Sequence, residues 1–164
     1  GLSSKGGVFY KQIREGKNNK DFKLYKSRSM RVNSDKQGLL TVGSKDSRIT
    51  KAGYFIRKYK IDELPQLFNV LKGDMSFVGP RPEVRRYVDL YSKEQMKVLS
   101  VRPGITDPAS IKYRNENDIL SSASNPEEYY IQHIMPDKLK INIDYINTQT
   151  FIKDIKIIFQ TIFG

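Results

Sequence analysis

At 164 residues the chain has room for one compact domain, and a hydrophobic fraction of 38% supplies a core and argues against disorder. The absence of cysteine excludes disulfides, thiolate catalysis and cysteine-ligated zinc, and the single histidine, His133, leaves any Ser-His-Asp triad or histidine-rich metal site resting on one residue. The formal charge of +11 is confined to one end: residues 1–60 hold 16 lysines and arginines against 4 acids, and residues 61–164 hold 13 against 14. That asymmetry points to an anionic partner, whether nucleic acid, an acidic membrane surface or a phosphorylated small molecule, with a solvated basic face as the bland alternative.

The opening "GLSSKGG" lacks an initiator Met and reads as the interior of a longer sequence. "VFYKQI" (8–13) and "FKLYK" (22–26) predict two strands, and "REGKNNKD" between them predicts a hairpin loop. Residues 31–47 are polar and aperiodic, a loop. Ile49, Ala52, Ile56 and Tyr59 share a face of a helix expected over 47–58. Leu64, Leu67, Phe68 and Leu71 mark a second helix, with Pro65 in its first turn, Gly73 as its stop, and Asp62 and Glu63 at its N-terminal end.

"MSFVGPRPE" is a turn whose prolines aim Arg81, and a long helix is expected from Val84 to Leu99, before "RPGIT" with Arg102. Further on, "PEEYYIQHIMPDKLKINIDYI" predicts two helical pieces broken at Pro136, with His133 a packed or surface residue. "TFIKDIKIIFQTIF" is an amphipathic helix, for which core packing is the commoner use and the plane of a membrane interface the other. No run of about 18 apolar residues is present to span a bilayer, and no signal peptide is recognisable, so a soluble or peripheral protein is expected.

The densest chemistry lies in "IDELPQL" (61–67), directly after "FIRKYK". Two adjacent acids at a helix start have an ordinary explanation, because the N-terminus is partially positive; they are also what nucleophilic and acid-base chemistry needs. The helix terminus with Arg57, Lys58 and Lys60 is expected to keep both ionised. Neither a P-loop nor a dinucleotide-binding glycine pattern occurs, and no RNA-recognition signature accompanies the basic stretch.

The run "RITKAGYFIRKYKIDELPQLFNVLKGDMSFVGPRPE" (48–83), with "FKLYKSRSM" (22–30) and "RPGIT" (102–106), resembles the bacterial sugar transferase family, the monotopic phosphoglycosyl transferases. The resemblance implies transfer of a sugar 1-phosphate from a UDP-sugar to polyprenyl phosphate at the cytoplasmic face of the bacterial inner membrane, starting capsule, O-antigen, exopolysaccharide or glycoprotein glycan synthesis. It also implies that Asp62 attacks the β-phosphoryl group to give a covalent phosphosugar with release of UMP. Glu63 would handle a proton of the lipid phosphate, and Mg²⁺ would bind beside Asp62. Lys26, Arg28, Arg81 and Arg102 match family positions suited to phosphate binding, which accords with the need to neutralise a diphosphate under attack by a carboxylate.

Family members usually carry a re-entrant hydrophobic helix before the region matching "GGVFYKQ", so the chain is expected to be a catalytic domain truncated at its N-terminus, with reduced membrane attachment. After "PGIT" many members continue Gly-Trp-Ala-Gln-Val-Asn-Gly-Arg-Asn, where this chain has "DPASIKYRN"; Arg114 and Asn115 are the positions that still match as substrate contacts. The expected fold is α+β: a mainly helical single domain spanning 1–164, with a small antiparallel hairpin and amphipathic interfacial helices. Expected partners are UDP-sugar, polyprenyl phosphate and an anionic membrane surface, not nucleic acid, with a homodimer left open. An inactive peripheral membrane module on the same scaffold is the alternative.

Overall fold

The structure, a computed structural model, describes residues 7–34, 38, 40–43 and 46–164. Strands β1 (Phe9–Glu15) and β2 (Asp21–Ser27) pair antiparallel, in register from Phe9 opposite Ser27 to Glu15 opposite Asp21. They run longer than the pattern predicted because the connection is a 3-10 turn at Lys17–Asn19, where Asn18 and Asn19 both take φ of 58°, a conformation asparagine tolerates. Alternation puts Phe9, Lys11 and Ile13 outward and Tyr10, Arg14 and Lys26 on the inner face.

Within the expected 31–47 loop, positions 35–37, 39, 44 and 45 lie outside the described residues. The rest is tied down by a bridge between Met30 and Ile49 and by Arg48, which pairs with Asp46 at 2.6 Å and donates to the carbonyls of Ser34, Gly38 and Leu40. That bridge keeps Ile49 extended, so helix α1 (Lys51–Lys58) starts at Lys51 and not at Ser47. Thr50 caps it by accepting from the Gly53 N–H at 2.9 Å. A Cβ at Gly53 would sit 1.9 Å from the Ser29 carbonyl oxygen, so only glycine lets α1 lie this close to the end of the hairpin.

Lys60, at φ 53°, turns the chain into a 3-10 turn at Ile61–Glu63; helix α2 (Gln66–Leu71) follows and stops at Gly73, as expected. Strands β3 (Ser76–Val78) and β4 (Gly104–Thr106) form a parallel pair. A Cβ on Gly104 would fall 2.2 Å from the Gly79 nitrogen, a backbone approach that fixes the Pro80–Glu83 turn beside β4.

The helix expected from Val84 to Leu99 is two pieces, α3 (Arg85–Val88) and a 3-10 segment at Gln95–Ser100. A reciprocal capping box restarts the chain between them: the Ser92 N–H donates to Gln95 Oε1 at 2.8 Å and the Gln95 N–H to Ser92 Oγ at 3.2 Å.

Helices α4 (Pro108–Lys112), α5 (Glu116–Ser121), α6 (Pro126–Tyr129), α7 (Met135–Asn147) and α8 (Phe151–Phe163) complete the chain. Pro136 does not break the path: it occupies the first turn of α7, and a π-helical segment at Tyr130–Ile134 carries α6 into α7. Tyr87, Val98, Leu120, Tyr130, Ile134, Met135 and Leu139 form the main core; Val78, Tyr145 and Ile157 form a smaller one under α8. Ile157 and Ile158 pack inward on α8, but Phe151, Ile152, Phe159, Ile162 and Phe163 remain exposed, so core packing accounts for only a part of that helix. His133 is exposed, its ring tilted against that of Tyr129 with centroids 4.7 Å apart. The architecture is the α+β, mainly helical one expected, and among the described residues no helix is long and apolar enough to cross a membrane.

Candidate active site

The two acids of the 61–63 turn point into different company. Glu63 is clamped by Arg81, which reaches both of its oxygens, and by Lys26 Nζ 3.8 Å away. Asp62 is 7% exposed and has no side-chain partner among the described residues beyond its own backbone N–H. Burial would raise the Glu63 carboxyl, but the charges of Arg81 and Lys26 outweigh it and hold the group at about 2. Burial and the adjacent Glu63 charge push Asp62 up, against the pull of Lys26 and Arg57. The expected pull of the cations towards the ionised form therefore prevails at Glu63 and is outweighed in direction at Asp62 by burial and the Glu63 charge, because a single set of cations is spent mainly on one of them. Burial and the Arg81 charge lower Lys26 to about 8, while Glu63 pulls Arg81 further up.

The acid pair, Lys26 and Arg81 arrive on three different elements, and buried polar residues hold these elements together. Asn69 on α2, fully buried, accepts from the Tyr25 N–H at 3.0 Å and donates to the Lys23 carbonyl at 2.8 Å, docking α2 on the edge of the strand that carries Lys26. Asp107, also fully buried, accepts from the Arg81 N–H at 3.0 Å and caps α4 through the Ser110 N–H at 2.7 Å. From the other side Arg14 donates to the Pro82 carbonyl and Glu83, both at 3.1 Å, and Tyr130 donates to Glu83 at 2.6 Å. The Pro80–Glu83 turn is thus fixed by β1, α4 and the π-helical segment at once.

A cleft of about 850 Å³ opens over this cluster; Lys26, Arg57, Asp62, Glu63 and Arg81 line it at one end, and α4, α5 and α7 wall the other. A side cavity of about 160 Å³ shares Arg14, Lys26, Arg57 and Asp62 with it. Of the residues singled out from sequence, Lys26, Asp62, Glu63 and Arg81 come together, and Arg28 lines the side cavity while donating to the Gly7 carbonyl at 2.8 Å. Arg114 lines the cleft and ties α4 to the end of α8 through the Gln160 and Gly164 carbonyls. Arg102 and Asn115 are exposed and line neither cavity; Arg102 extends towards Gly73, and Asn115 starts α5.

Sequence reasoning missed Arg14, Asn69, Asp107 and Tyr130. Only Asp107 carried a readable signal, as the Asp-Pro of an N-cap with proline at the first helical position.

No group of three or more His, Cys, Asp or Glu able to hold a metal occurs among the described residues. Of the acid pair, Glu63 is held by cations while Asp62 has no ion-pair partner among the described residues, and a single carboxylate suffices for Mg²⁺ only where substrate phosphates complete the shell. Such a donor set fits an ion brought in with a phosphorylated ligand.

The family model described as bacterial sugar transferase matches residues 1–164. This chain belongs to the bacterial sugar transferase family. It is 41% identical to a UDP-N-acetylgalactosamine-undecaprenyl-phosphate N-acetylgalactosaminephosphotransferase of Aeromonas hydrophila, over 98% of this chain and 36% of that protein. It is also 41% identical to the uncharacterized sugar transferase EpsL of Bacillus subtilis, over 94% of this chain and 68% of the relative. A UDP-glucose:undecaprenyl-phosphate glucose-1-phosphate transferase of Escherichia coli shares 37% identity over 99% of this chain. The chain spans only about a third of the first and last of these relatives, 36% and 33%. Family membership therefore attaches to the region that holds the Asp62–Glu63 cleft.

Proposed function

We propose that this chain is the catalytic part of an enzyme that transfers a sugar 1-phosphate from a UDP-sugar to polyprenyl phosphate, with Asp62 as the nucleophile. The observation that carries the reading is the division of labour in the acid pair: Glu63 is locked to Arg81 and Lys26, while Asp62 stands unpaired on the wall of a cation-lined cleft. The names of the Aeromonas and Escherichia relatives, which include a UDP-sugar and undecaprenyl phosphate, support the substrate classes.

An Asp62 oxygen attacks the β-phosphorus; the P–O bond to the α-phosphate breaks, UMP leaves with the electron pair, and an aspartyl phosphosugar remains. An oxygen of polyprenyl phosphate then attacks the same phosphorus and returns Asp62 as a carboxylate. Arg81 and Lys26 bind the phosphoryl oxygens, and to do so they must release Glu63. Still buried but stripped of its cations, Glu63 moves up from its depressed pKa and becomes able to take the proton of the lipid phosphate. Mg²⁺, held by Asp62 and the donor phosphates, would supply further neutralisation of phosphoryl charge.

The lipid acceptor requires a membrane within reach of Asp62. Phe55, Tyr59, Leu64, Leu67, Phe68 and Leu71 are all exposed around the 61–63 turn, interspersed with Lys58, Lys60 and Lys72, a composition suited to anionic lipid.

Intact-mass analysis of the chain with Mg²⁺ and UDP-sugars should show a phosphosugar adduct on Asp62, absent in Asp62→Asn; an adduct on any other residue overturns the assignment. Glu63→Gln should bind UMP more tightly than wild type, because the competing anion is gone, and yet turn over more slowly. Weaker UMP binding in that variant would remove the displacement step.

A further inference from the structure

The far wall of the cleft contains an amide with nothing to bond to. Asn142, on the inner face of α7, is 5% exposed and lines the cleft, and its Oδ1 is buried without a hydrogen-bond partner among the described residues. Its polar neighbours on that wall are committed: Ser110 Oγ to Asp107 at 3.1 Å, Lys138 to Glu116 at 2.7 Å, Tyr113 to Asp137 at 2.7 Å and Tyr130 to Glu83 at 2.6 Å. An unsatisfied buried carbonyl is costly, and an apolar side chain of the same size would remove the cost, so the position gains nothing for folding from being asparagine.

The wall is also coupled to the phosphate end. Asp107 holds the Arg81 N–H and Ser110 together, and α4, which carries Ser110, packs on α7. A diphosphate on Arg81 therefore has its organic substituents directed along a cleft whose far side is α7.

We propose that Asn142 is a specificity-determining contact that reads an N–H donor beside a C=O acceptor on the neutral part of the donor nucleotide, a proposal that rests on the UDP-sugar reading. A primary amide offers one acceptor and one donor side by side, the complement of such an edge. The imide of uracil presents such an edge; the acetamido group of an N-acetylated sugar, whose N–H and C=O point to opposite sides, can pair with the Asn142 amide through only one of them. Because Asn142 sits on a 13-residue helix anchored by Leu139 and Tyr145 in the core, its position is fixed before the ligand arrives.

The test is calorimetric titration of UMP, UDP-N-acetylgalactosamine and UDP-galactose into the wild-type chain and Asn142→Leu, with thermal unfolding of both. Asn142→Leu should unfold at the same or a higher temperature while losing about 10-fold or more in affinity for at least one ligand. An equal loss for all three places uracil at Asn142. Unchanged UMP binding with loss confined to UDP-N-acetylgalactosamine places the acetamido group there. Wild-type affinity for all three in Asn142→Leu overturns the proposal, as does a matching loss of thermal stability, which would make the amide structural. A wild-type chain that binds neither UDP-sugar sinks the proposed function itself, a result distinguishable from the others.

Discussion

Helices α2 and α7 are both amphipathic in sequence, and they use their two faces in opposite ways. On α7 the apolar positions Met135, Leu139 and Tyr145 are buried and the polar ones mostly face water. Around α2 the apolar residues Leu64, Leu67, Phe68 and Leu71 are 40–83% exposed, whereas Gln66 and Asn69 are at most 1% exposed. Hydrophobic burial holds α7 in place; hydrogen bonds from a buried amide to the edge of β2 hold α2. The inverted helix is the one beside Asp62. Polar docking gives directional control of where the acid pair meets Lys26 and Arg81, and it leaves an apolar surface exposed beside Asp62.

Four measurements press on this contrast. Truncating the ordinary helix, Leu139→Ala, should cost about 2–5 kcal/mol in denaturant unfolding, as deletion of a packed core side chain does. Asn69→Ala should approach that, at about 2–3 kcal/mol, since it strands the Tyr25 N–H and the Lys23 carbonyl. If it unfolds like wild type, α2 is not held by its polar face.

The pH profile should separate the site from the scaffold. Lys26 discharges in the folded chain near pH 8 but keeps its proton to 10.5 when unfolded, so between these values the unfolded state binds more protons. UMP affinity should therefore fall as pH rises through 8, approaching about 10-fold per unit if Lys26 supplies the charge, while Lys26's own contribution to stability rises from 8 towards 10.5. Lys26→Met should flatten both trends. The smallest effect is expected for Leu67→Gln combined with Phe68→Gln: each should change unfolding by about 0.5 kcal/mol or less, yet together they should reduce binding to anionic vesicles. A large loss of stability would mean that the stripe is covered by protein.

A second buried acid lies behind the site. Glu15 pairs with Arg85, and its Oε1 has no hydrogen-bond partner among the described residues; burial, with Asp21 alongside, raises it to about 7. Its sign is opposite to that of an ordinary ion-paired carboxylate: the contribution is present below the unfolded value of 4.5 and is lost as pH rises through 7.

Much of the site was legible. Asp62, Glu63 and Arg81 stand out as charged residues concentrated at a helix start and in a proline turn, and Lys26 joins them through the family resemblance. Arg102 and Asn115 line neither cavity, because proximity in a motif does not fix which way a side chain faces. The broken helix at Ser92 was readable from its Ser-x-x-Gln spacing, but its apolar content argued for continuity.

The chain's order of residues by itself determined the hairpin, the start of α8 at Thr150, the stop at Gly73, and the pairing of two acids with a basic stretch, since each depends on neighbours a few positions apart. Tertiary structure alone decided which acid keeps the cations, that α2 faces polar side inward, and that Asn142 meets the cleft. The first two outcomes are set by competition among groups 18 to 46 positions apart for a few buried charges and hydrogen bonds, and local spacing carries no trace of who wins.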